Sequence, residues 1–268
     1  MKSYPWLCLG LLGCLLAVPA AADDRLREVI ADPARPEAQA ARDDQRNPYE
    51  TLTFFGLRPD MTVVEISPSA GWYTEILAPY LRDEGRLVAA HWNMEGDDVP
   101  DFYRRIRAGF EERIADTDRF GNIEIVPFDP PELTRLGEPG SADLVLTFRN
   151  VHGYKRAGTF ADVLDAVHAV LKPDGVFGVV GHRLPEDREQ DPEARSGYVH
   201  QSWVVAMAES HGFRLVEASE VNANPRDTAD HPSGVWSLPP GLREGEETAD
   251  HFRAIGESDR FTLKFARR

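Results

Sequence analysis

Cysteine is almost absent from this sequence. The chain has 268 residues and only two cysteines, Cys8 and Cys14, both close to the N-terminus. If the N-terminal segment is removed, as its composition predicts, no cysteine remains. Such a chain can form no disulfide, no thiolate zinc site and no cysteine nucleophile. Its stability must then come from a hydrophobic core, and a chain of this length can bury one.

A long hydrophobic run is also lacking, and the single short one lies at the N-terminus. Lys2 precedes apolar residues 6–18, and three alanines ending at Ala22 follow. A basic start, a short apolar segment and small residues are typical of a secretory signal peptide, and the run is short for a membrane span. We expect residues 1–22 to be cleaved and the protein to be exported, periplasmic or secreted, without stable membrane insertion. An uncleaved anchor and a lipoprotein attached through Cys14 are the alternatives.

Positive charge is scarce, with 30 basic against 45 acidic side chains and a formal charge of −15. Nucleic acids and anionic membrane surfaces are therefore improbable partners, because binding phosphates requires basic patches. Three motifs are missing as well. There is no G-x-G-x-x-G after the first predicted strand, which argues against a nicotinamide-dependent oxidoreductase. There is no H-E-x-x-H and no G-x-S-x-G, so the sequence predicts neither a metal site nor a serine hydrolase.

What the chain does contain is an alternation of strand-like and helix-like segments. Residues 23–50 are polar and are predicted to form an N-terminal arm. Residues 51–268 are predicted to form one α/β domain. The predicted strands are residues 61–66, 85–91, 122–128, 142–148, 176–181, 213–221 and 261–266. This order favours a doubly wound, mostly parallel sheet of seven strands. Residues 222–260 are expected to form a long loop that covers one end of the sheet.

Polar or aromatic residues lie at the end of each of the first five predicted strands or directly after it. Ligands bind at the carboxyl ends of the strands in an open parallel sheet, so these positions predict a pocket. Ordinary solvated loops are the alternative interpretation. In strand order the residues are Glu65, Ser67, Ser69 and Gly71; His91, Trp92 and Asn93; Phe128 and Asp129; Arg149, Asn150 and His152; and His182 and Arg183.

Several of these segments resemble a known superfamily. A strand, an acid, a short turn, a glycine and a helix, with "FDPP" after the third strand and "LKPDGVFGVV" at the fifth, resemble class I S-adenosylmethionine-dependent methyltransferases. The longer strings "ETLTFFGLRPDMTVVEI", "LTFRNVHGY" and "NANPRDTADHPSGVW" resemble a family of exported methyltransferases with no assigned substrate. The resemblance implies a Rossmann-like methyltransferase fold, S-adenosylmethionine as cofactor and a small-molecule substrate.

The resemblance also implies roles for individual residues. Glu65 would order the turn and face the ammonium group of the cofactor, and Gly71 would bring a helix N-terminus close to it. Asp129 would accept a hydrogen bond from the adenine amino group. Ser67, Ser69, Asn93 and Phe128 complete the predicted cofactor site.

The predicted catalytic residues follow the fourth strand. His152 is the candidate general base, and Asn150 and Arg149 would orient the substrate. Each of these residues also has a structural interpretation. Glu65 could cap its turn, Asp129 could form a turn before two prolines, Asn150 could bind loop backbone, and His152 could be a structural hydrogen-bonding residue.

The sequence departs from the superfamily pattern at two places. Pro68, Ser69 and Ala70 precede Gly71 where the resemblance implies several glycines, and added side chains restrict positive φ and occupy space. The second strand ends in His91 instead of an acid. Export would also separate the protein from a cofactor that is made in the cytoplasm. The alternative is therefore an exported ligand-binding protein, or a non-methylating enzyme, on a methyltransferase scaffold.

Overall fold

The computed structural model describes residues 23–96 and 98–268. The predicted signal peptide, residues 1–22, lies outside them. The centre of the structure is a sheet with the strand order β3-β2-β1-β4-β5-β8-β7, in which only β8 runs antiparallel to its neighbours and β6 pairs with β5 off this path. The strands are β1 Thr62–Ile66, β2 Arg86–His91, β3 Glu124–Pro127, β4 Ala142–Phe148, β5 Leu171–Leu184, β6 Val199–His200, β7 Phe213–Ser219 and β8 Arg260–Arg267.

Helices cover both faces of this sheet. They are α1 Asp24–Ile30, α2 Glu37–Ala40, α3 Asp43–Arg46, α4 Pro48–Phe55, α5 Thr74–Leu81, α6 Asp101–Ile114, α7 Thr117–Phe120, α8 Val151–Ala157, α9 Phe160–Val170, α10 Gln201–Ser210 and α11 Glu246–Ile255, with a 3-10 turn at Gly234–Trp236. Neighbouring residues of β1 point to opposite faces, as the pleat of a strand requires. Val63 packs in the cluster that includes Leu52 and Leu77, whereas Val64 packs in the cluster that includes Leu164.

The predicted α/β class and the mostly parallel sheet are confirmed. All seven predicted strands are present, and β6 is a two-residue addition. The segment "KPDG" does not separate α9 from a later strand. Instead Leu171 pairs with Ala142 and Val176 pairs with Leu144, so the four residues between form a bulge within β5. The predicted loop 222–260 contains a 3-10 turn and helix α11.

The N-terminal arm packs against the domain. Leu26 of α1 is buried in the same cluster as Leu77 of α5, and the indole Nε1 of Trp72 donates to the Gln39 carbonyl at 3.0 Å. The arm boundary expected at residue 50 falls inside α4. The polar composition of residues 23–50 does not predict this packing, because long charged side chains such as Arg35 and Arg46 are buried with their apolar stems.

Within residues 23–96 and 98–268, no helix has both the length and the apolar character needed to cross a membrane. The same part of the chain contains no cluster of three or more histidine, cysteine, aspartate or glutamate side chains that could hold a metal ion.

Candidate functional site

A cavity of about 340 Å³ lies at the carboxyl ends of β1, β2, β4 and β5. Six of the ten predicted site residues line it: Glu65, Ser67, Ser69, Arg149, Asn150 and His152. Two larger cavities, of about 610 and 650 Å³, lie beneath the β3–β4 connection. The first of them is bordered by residues at the amino ends of β1, β2 and β3, and no predicted site residue lines either one. The positions of the predicted site residues therefore favour the cavity of about 340 Å³ as the candidate functional site.

The turn after β1 has the backbone of a glycine-rich turn although serines occupy it. Ser67 and Ser69 have φ of 51° and 57°, in the left-handed region that glycine favours. Contacts with other elements hold both residues there. The Ser69 carbonyl lies 3.0 Å from His91 Nε2. The Ser67 hydroxyl lies 2.7 Å from the Tyr154 hydroxyl, and the Ser67 amide donates to the Ala90 carbonyl at 2.8 Å. Tertiary hydrogen bonds thus offset the strain of two non-glycine residues.

Gly71 has a packing role in this turn, and it does not line the cavity of about 340 Å³. Its φ is +81°, and a Cβ there would lie 3.0 Å from the Phe110 ring of α6. The glycine therefore permits both the left-handed backbone and the close approach of α6. Its predicted role at the cofactor stays a prediction.

Glu65 is a buried carboxyl group, 2% exposed, at the wall of the cavity. Its Oε2 accepts a hydrogen bond of 2.6 Å from Thr74 Oγ1, at the start of α5. Burial raises its pKa to about 7, and the Thr74 hydrogen bond opposes that shift. Among residues 23–96 and 98–268, no cation forms an ion pair with this carboxylate. A cationic ligand beside it would restore its charge.

The end of β2 carries a structural histidine. His91 Nε2 lies 3.0 Å from the Ser69 carbonyl, and its Nδ1 accepts from the Trp92 amide at 2.9 Å. This pair of contacts fits the neutral tautomer with hydrogen on Nε2, and burial lowers the pKa of His91 to about 4. His91 therefore ties the turn after β1 to β2 and offers no carboxylate to a ribose.

Another cavity, of about 520 Å³, adjoins the cavity of about 340 Å³ and shares Trp92 and Tyr103 with it. Asn93 and Asp129 line this cavity, so two further predicted site residues come together beside the first group. Asn93 Oδ1 accepts from the Glu95 amide at 3.1 Å, which leaves its amide nitrogen for a ligand. Phe128 is 1% exposed and packs in the core beneath the site, and it lines neither cavity.

Asn150 and Arg149, after β4, are placed differently. The Asn150 amide nitrogen donates to the carbonyls of Ile66 and Ser67, at 3.0 and 3.2 Å, and so ties β4 to the turn after β1. Arg149 has φ of 63° and lines the cavity. Burial is the main cause that lowers its pKa, to about 10. Asn150 thus positions backbone, whereas Arg149 offers a cation to the cavity.

Two neutral histidines line the same cavity. The rings of His152, on α8, and His182, in β5, have centroids 5.6 Å apart. Burial lowers the pKa of His152 to about 4, and the charges of Arg156 and Arg149 contribute. His182 Nδ1 lies 2.5 Å from the Ser258 hydroxyl, and burial holds its pKa well below the usual value. Both imidazoles are therefore unprotonated at neutral pH.

Several cavity residues were not identified from the sequence. Tyr73 stacks on Phe148 with centroids 3.5 Å apart, and Trp236 brings the 222–260 segment over His152 with centroids 5.7 Å apart. Trp236 belongs to the string "NANPRDTADHPSGVW", which could have indicated it. Tyr73 follows Gly71 by two residues, and no pattern distinguishes it from a core aromatic.

Solved structures resemble this chain in fold. A methyltransferase from Aquifex aeolicus described as S-adenosylmethionine-dependent is 18% identical, with 74% of this chain and 92% of that chain covered and a TM-score of 0.54. Phosphoethanolamine N-methyltransferase 2 of Haemonchus contortus, solved with S-adenosylmethionine, is 13% identical, with 83% and 52% covered and a TM-score of 0.58. An arsenic(III) S-adenosylmethionine methyltransferase from Chlamydomonas reinhardtii is 17% identical, with 90% and 72% covered and a TM-score of 0.51.

No protein-family model and no curated protein sequence matches the chain. At these identities the structural likenesses establish the fold alone. The chain has the fold of S-adenosylmethionine-dependent methyltransferases, which confirms the Rossmann-like methyltransferase fold predicted from the sequence.

Proposed function

We propose that this protein is an S-adenosylmethionine-dependent methyltransferase that acts on a small molecule. The observation that carries the proposal is the turn after β1. Ser67 and Ser69 keep the left-handed backbone of a cofactor turn, and the buried Glu65 carboxyl group stands at the cavity beside them. The fold of the solved methyltransferases supports the same conclusion.

The polar side chains of the two adjoining cavities fit the two ends of this cofactor. Glu65 would hold the ammonium group. Burial raises the pKa of this carboxyl group to about 7, and a nearby cation would stabilise its ionised form. Asn93 and Asp129, in the adjoining cavity, would hold the adenosine end, with Trp92 and Tyr103 between the two cavities. When bound, the cofactor supplies a methyl group already activated for transfer by its positive sulfur.

The remaining cavity residues would act on the acceptor. Alignment of donor and nucleophile is the main requirement for an in-line transfer. Tyr73, Trp236 and the two histidines line the same cavity as Glu65. If the nucleophile carries a proton, the unprotonated ring of His152 can accept it. Asn150 positions the turn through backbone hydrogen bonds and is therefore a positioning residue in this proposal.

Calorimetric titration of residues 23–268 with S-adenosylmethionine and S-adenosylhomocysteine tests this proposal. We expect saturable heat with both ligands and a rise in the melting temperature. Neither heat nor thermal stabilisation at millimolar ligand would contradict it. That result would favour the second candidate, a binding protein or non-methylating enzyme on this scaffold. The serine side chains at positions 67 and 69, which reduce the room in the turn, are the observation that supports this candidate.

We further propose that the protein is exported after cleavage behind Ala22. The contacts of Asp23 are compatible with a chain that starts there. Its side chain accepts from the Leu26 amide at 3.0 Å and so caps α1, and its own backbone nitrogen donates to the Tyr49 hydroxyl at 3.2 Å. Fractionation of the native host followed by N-terminal sequencing checks this point. Full-length protein in the cytosol would contradict it.

A further inference from the structure

Three arginines contact a single carboxylate next to the cavity, and a fourth lies at the end of β4. Glu257 Oε1 accepts from Arg42 Nε at 2.7 Å and from Arg46 Nε at 3.1 Å, and Glu257 Oε2 accepts from Arg260 Nη1 at 3.0 Å. Arg149, at the end of β4, lines the cavity together with Tyr73, whose hydroxyl donates to the Arg46 carbonyl at 3.5 Å. We call Arg42, Arg46, Arg149, Arg260 and Glu257 the arginine cluster.

The hydrogen-bonding capacity of this cluster is not satisfied by the protein. Arg46 is 1% exposed, yet neither its Nη1 nor its Nη2 has a partner within residues 23–96 and 98–268. The Nε of the buried Arg260 also has none in the described chain. Arg149 is half-buried and lines the cavity, and its side chain likewise forms no hydrogen bond or ion pair with the same set of residues. Buried donors without acceptors are costly, so the arrangement calls for an acceptor from outside the chain.

The charge balance points to the same kind of partner. Burial would raise the pKa of Glu257, but Arg46, Arg260, Arg149 and Arg42 together hold it at about 2, so it is fully ionised. Even so, it offsets only one of four positive charges. The excess occurs in a chain whose formal charge is −15. Burying like charges without compensation is strongly unfavourable, and a bound anion would supply the compensation.

The cluster lies at the end of the site away from the expected adenosine position. Arg149 lines the cavity together with Tyr73 and His182, while the guanidinium of Arg46 lies 4.5 Å from the ring centroid of Trp72, another cavity residue. Ser258, which contacts His182, follows Glu257 directly in the chain. An anion at the cluster would therefore lie between the β4 and β5 ends, beside both histidines.

We propose that the arginine cluster binds a carboxylate of the methyl acceptor, with Arg149 in direct contact and Arg46 behind it. The substrate class is then a small carboxylic acid. The assignment to an acceptor rests on the proposed function, whereas carboxylate binding can be tested without it. The cofactor also carries a carboxylate, and the experiments below distinguish the two sources.

Thermal unfolding of residues 23–268 in sodium malonate, compared with sodium chloride of equal ionic strength, tests for the site. Malonate at about a hundred times its dissociation constant should raise the melting temperature by roughly 5–10 °C. The rise should disappear in Arg149→Met and persist in Arg58→Met, which removes an exposed arginine from the surface. Equal melting temperatures in both salts, or the same rise in Arg149→Met, would overturn the proposal.

Arg149→Met should also unfold at a temperature no lower than the wild type without malonate, because it removes repulsion within the cluster. If this variant does not fold, Arg149→Lys provides the test. Malonate should still raise its melting temperature, but the affinity should be several-fold weaker, because lysine cannot form the bidentate contact that arginine makes with a carboxylate. If Arg149→Lys binds malonate as tightly as the wild type does, Arg149 does not contact the carboxylate directly.

Titration with two nucleosides identifies the source of the carboxylate. S-adenosylhomocysteine carries the α-carboxylate, and 5′-methylthioadenosine lacks it. If the acceptor supplies the carboxylate, Arg149→Met should leave the affinity for both compounds within about twofold of wild type. A loss of tenfold or more for S-adenosylhomocysteine alone would assign the cluster to the cofactor and overturn the acceptor assignment. Failure of both nucleosides to bind wild type, with malonate still binding, would contradict the proposed function and leave the anion site intact.

Discussion

Thr74 Oγ1 donates a hydrogen bond of 2.6 Å to Glu65 Oε2 and so joins the end of β1 to the start of α5. The hydroxyl satisfies one carboxyl oxygen without neutralising its charge. Burial therefore remains the dominant influence and raises the pKa of Glu65 to about 7. A carboxyl group in this state changes its charge near neutral pH, so the cavity becomes a better cation receptor as the pH rises.

Glu65→Gln should stabilise the ligand-free protein at high pH and change little at low pH. The carboxyl group ionises near 4.5 in the unfolded chain and near 7 in the folded one. The free energy of unfolding therefore falls as the pH rises from about 4.5 to 7. The shift corresponds to roughly 3 kcal/mol, which glutamine removes. Urea unfolding of both proteins at pH 4.5 and pH 8 measures the effect.

The matched control for this prediction is Glu112→Gln, a change at an exposed glutamate of α6. Its stability should follow that of the wild type at both pH values. The affinity of Glu65→Gln for S-adenosylhomocysteine should be at least tenfold weaker at pH 8, because the ammonium loses a charged partner. A difference between Glu65→Gln and wild type that is the same at both pH values would contradict the raised pKa.

The residues that could be predicted from sequence are those fixed by their position along a strand. Glu65 lies near the end of β1, and Asn93, Asp129 and Arg149 follow β2, β3 and β4. The apolar character of these strands identified them, and parallel pairing brings their ends together. The alternation of apolar segments therefore predicted most of the fold and the position of the candidate cavity.

The arginine cluster could not be predicted in this way. Arg46 and Glu257 are 211 positions apart in the chain, and neither belongs to a periodic apolar segment. Residues 23–50 are polar, and polarity predicts exposure. In the folded chain Arg46 is buried, because the distant Glu257 carboxylate and the Trp72 ring contact it. Long-range charge pairing leaves no local signal in the sequence.

Ser69→Gly should raise the free energy of unfolding by roughly 0.5–1 kcal/mol. A non-glycine residue in the left-handed region carries strain of about 1–2 kcal/mol, which glycine removes at some cost in entropy. Ser69 has φ of 57°, and its carbonyl, which glycine keeps, makes the contact with His91. Equilibrium urea unfolding at pH 7 is the measurement.

Ser67→Gly is the control for Ser69→Gly, because the two residues share the same backbone region. Ser67 differs in that its hydroxyl is hydrogen-bonded to Tyr154 at 2.7 Å. Loss of that bond, about 1 kcal/mol, should cancel the relief of strain. We expect no net stabilisation in Ser67→Gly. A larger gain from Ser67→Gly than from Ser69→Gly would show that the hydroxyl contact contributes nothing.

Asp129→Asn should weaken the binding of S-adenosylhomocysteine by roughly tenfold, because an amide accepts a hydrogen bond from the adenine amino group less strongly than a carboxylate does. Asp129 lines the cavity with Asn93, and its backbone pairs with Leu133. Only the side chain changes, so the fold should be unaffected. Glu132→Gln, which removes a nearby acid that faces a different cavity, is the calorimetric control. If Asp129→Asn and Glu132→Gln bind S-adenosylhomocysteine equally well, the adenine does not contact Asp129.

His152 should remain unprotonated down to about pH 5. Burial, aided by the charges of Arg156 and Arg149, lowers its pKa to about 4. The unfolded histidine takes up a proton near 6.5, so this residue contributes stability above that pH, which is lost as the pH falls to about 4. Histidine resonances in NMR spectra, with His152 assigned from the His152→Gln variant, report its titration directly.

A carboxylate bound at Arg149 would alter that titration. It would offset one of the cations that disfavour the protonated imidazole, so the pKa of His152 should rise when malonate is added. The resulting imidazole would be a stronger base for removing a proton from an acceptor nucleophile. Titration of His152 with and without malonate measures the shift, and the Arg149→Met variant should show none. If the titration is the same in both conditions, the anion does not lie beside His152, and another group must act as the base.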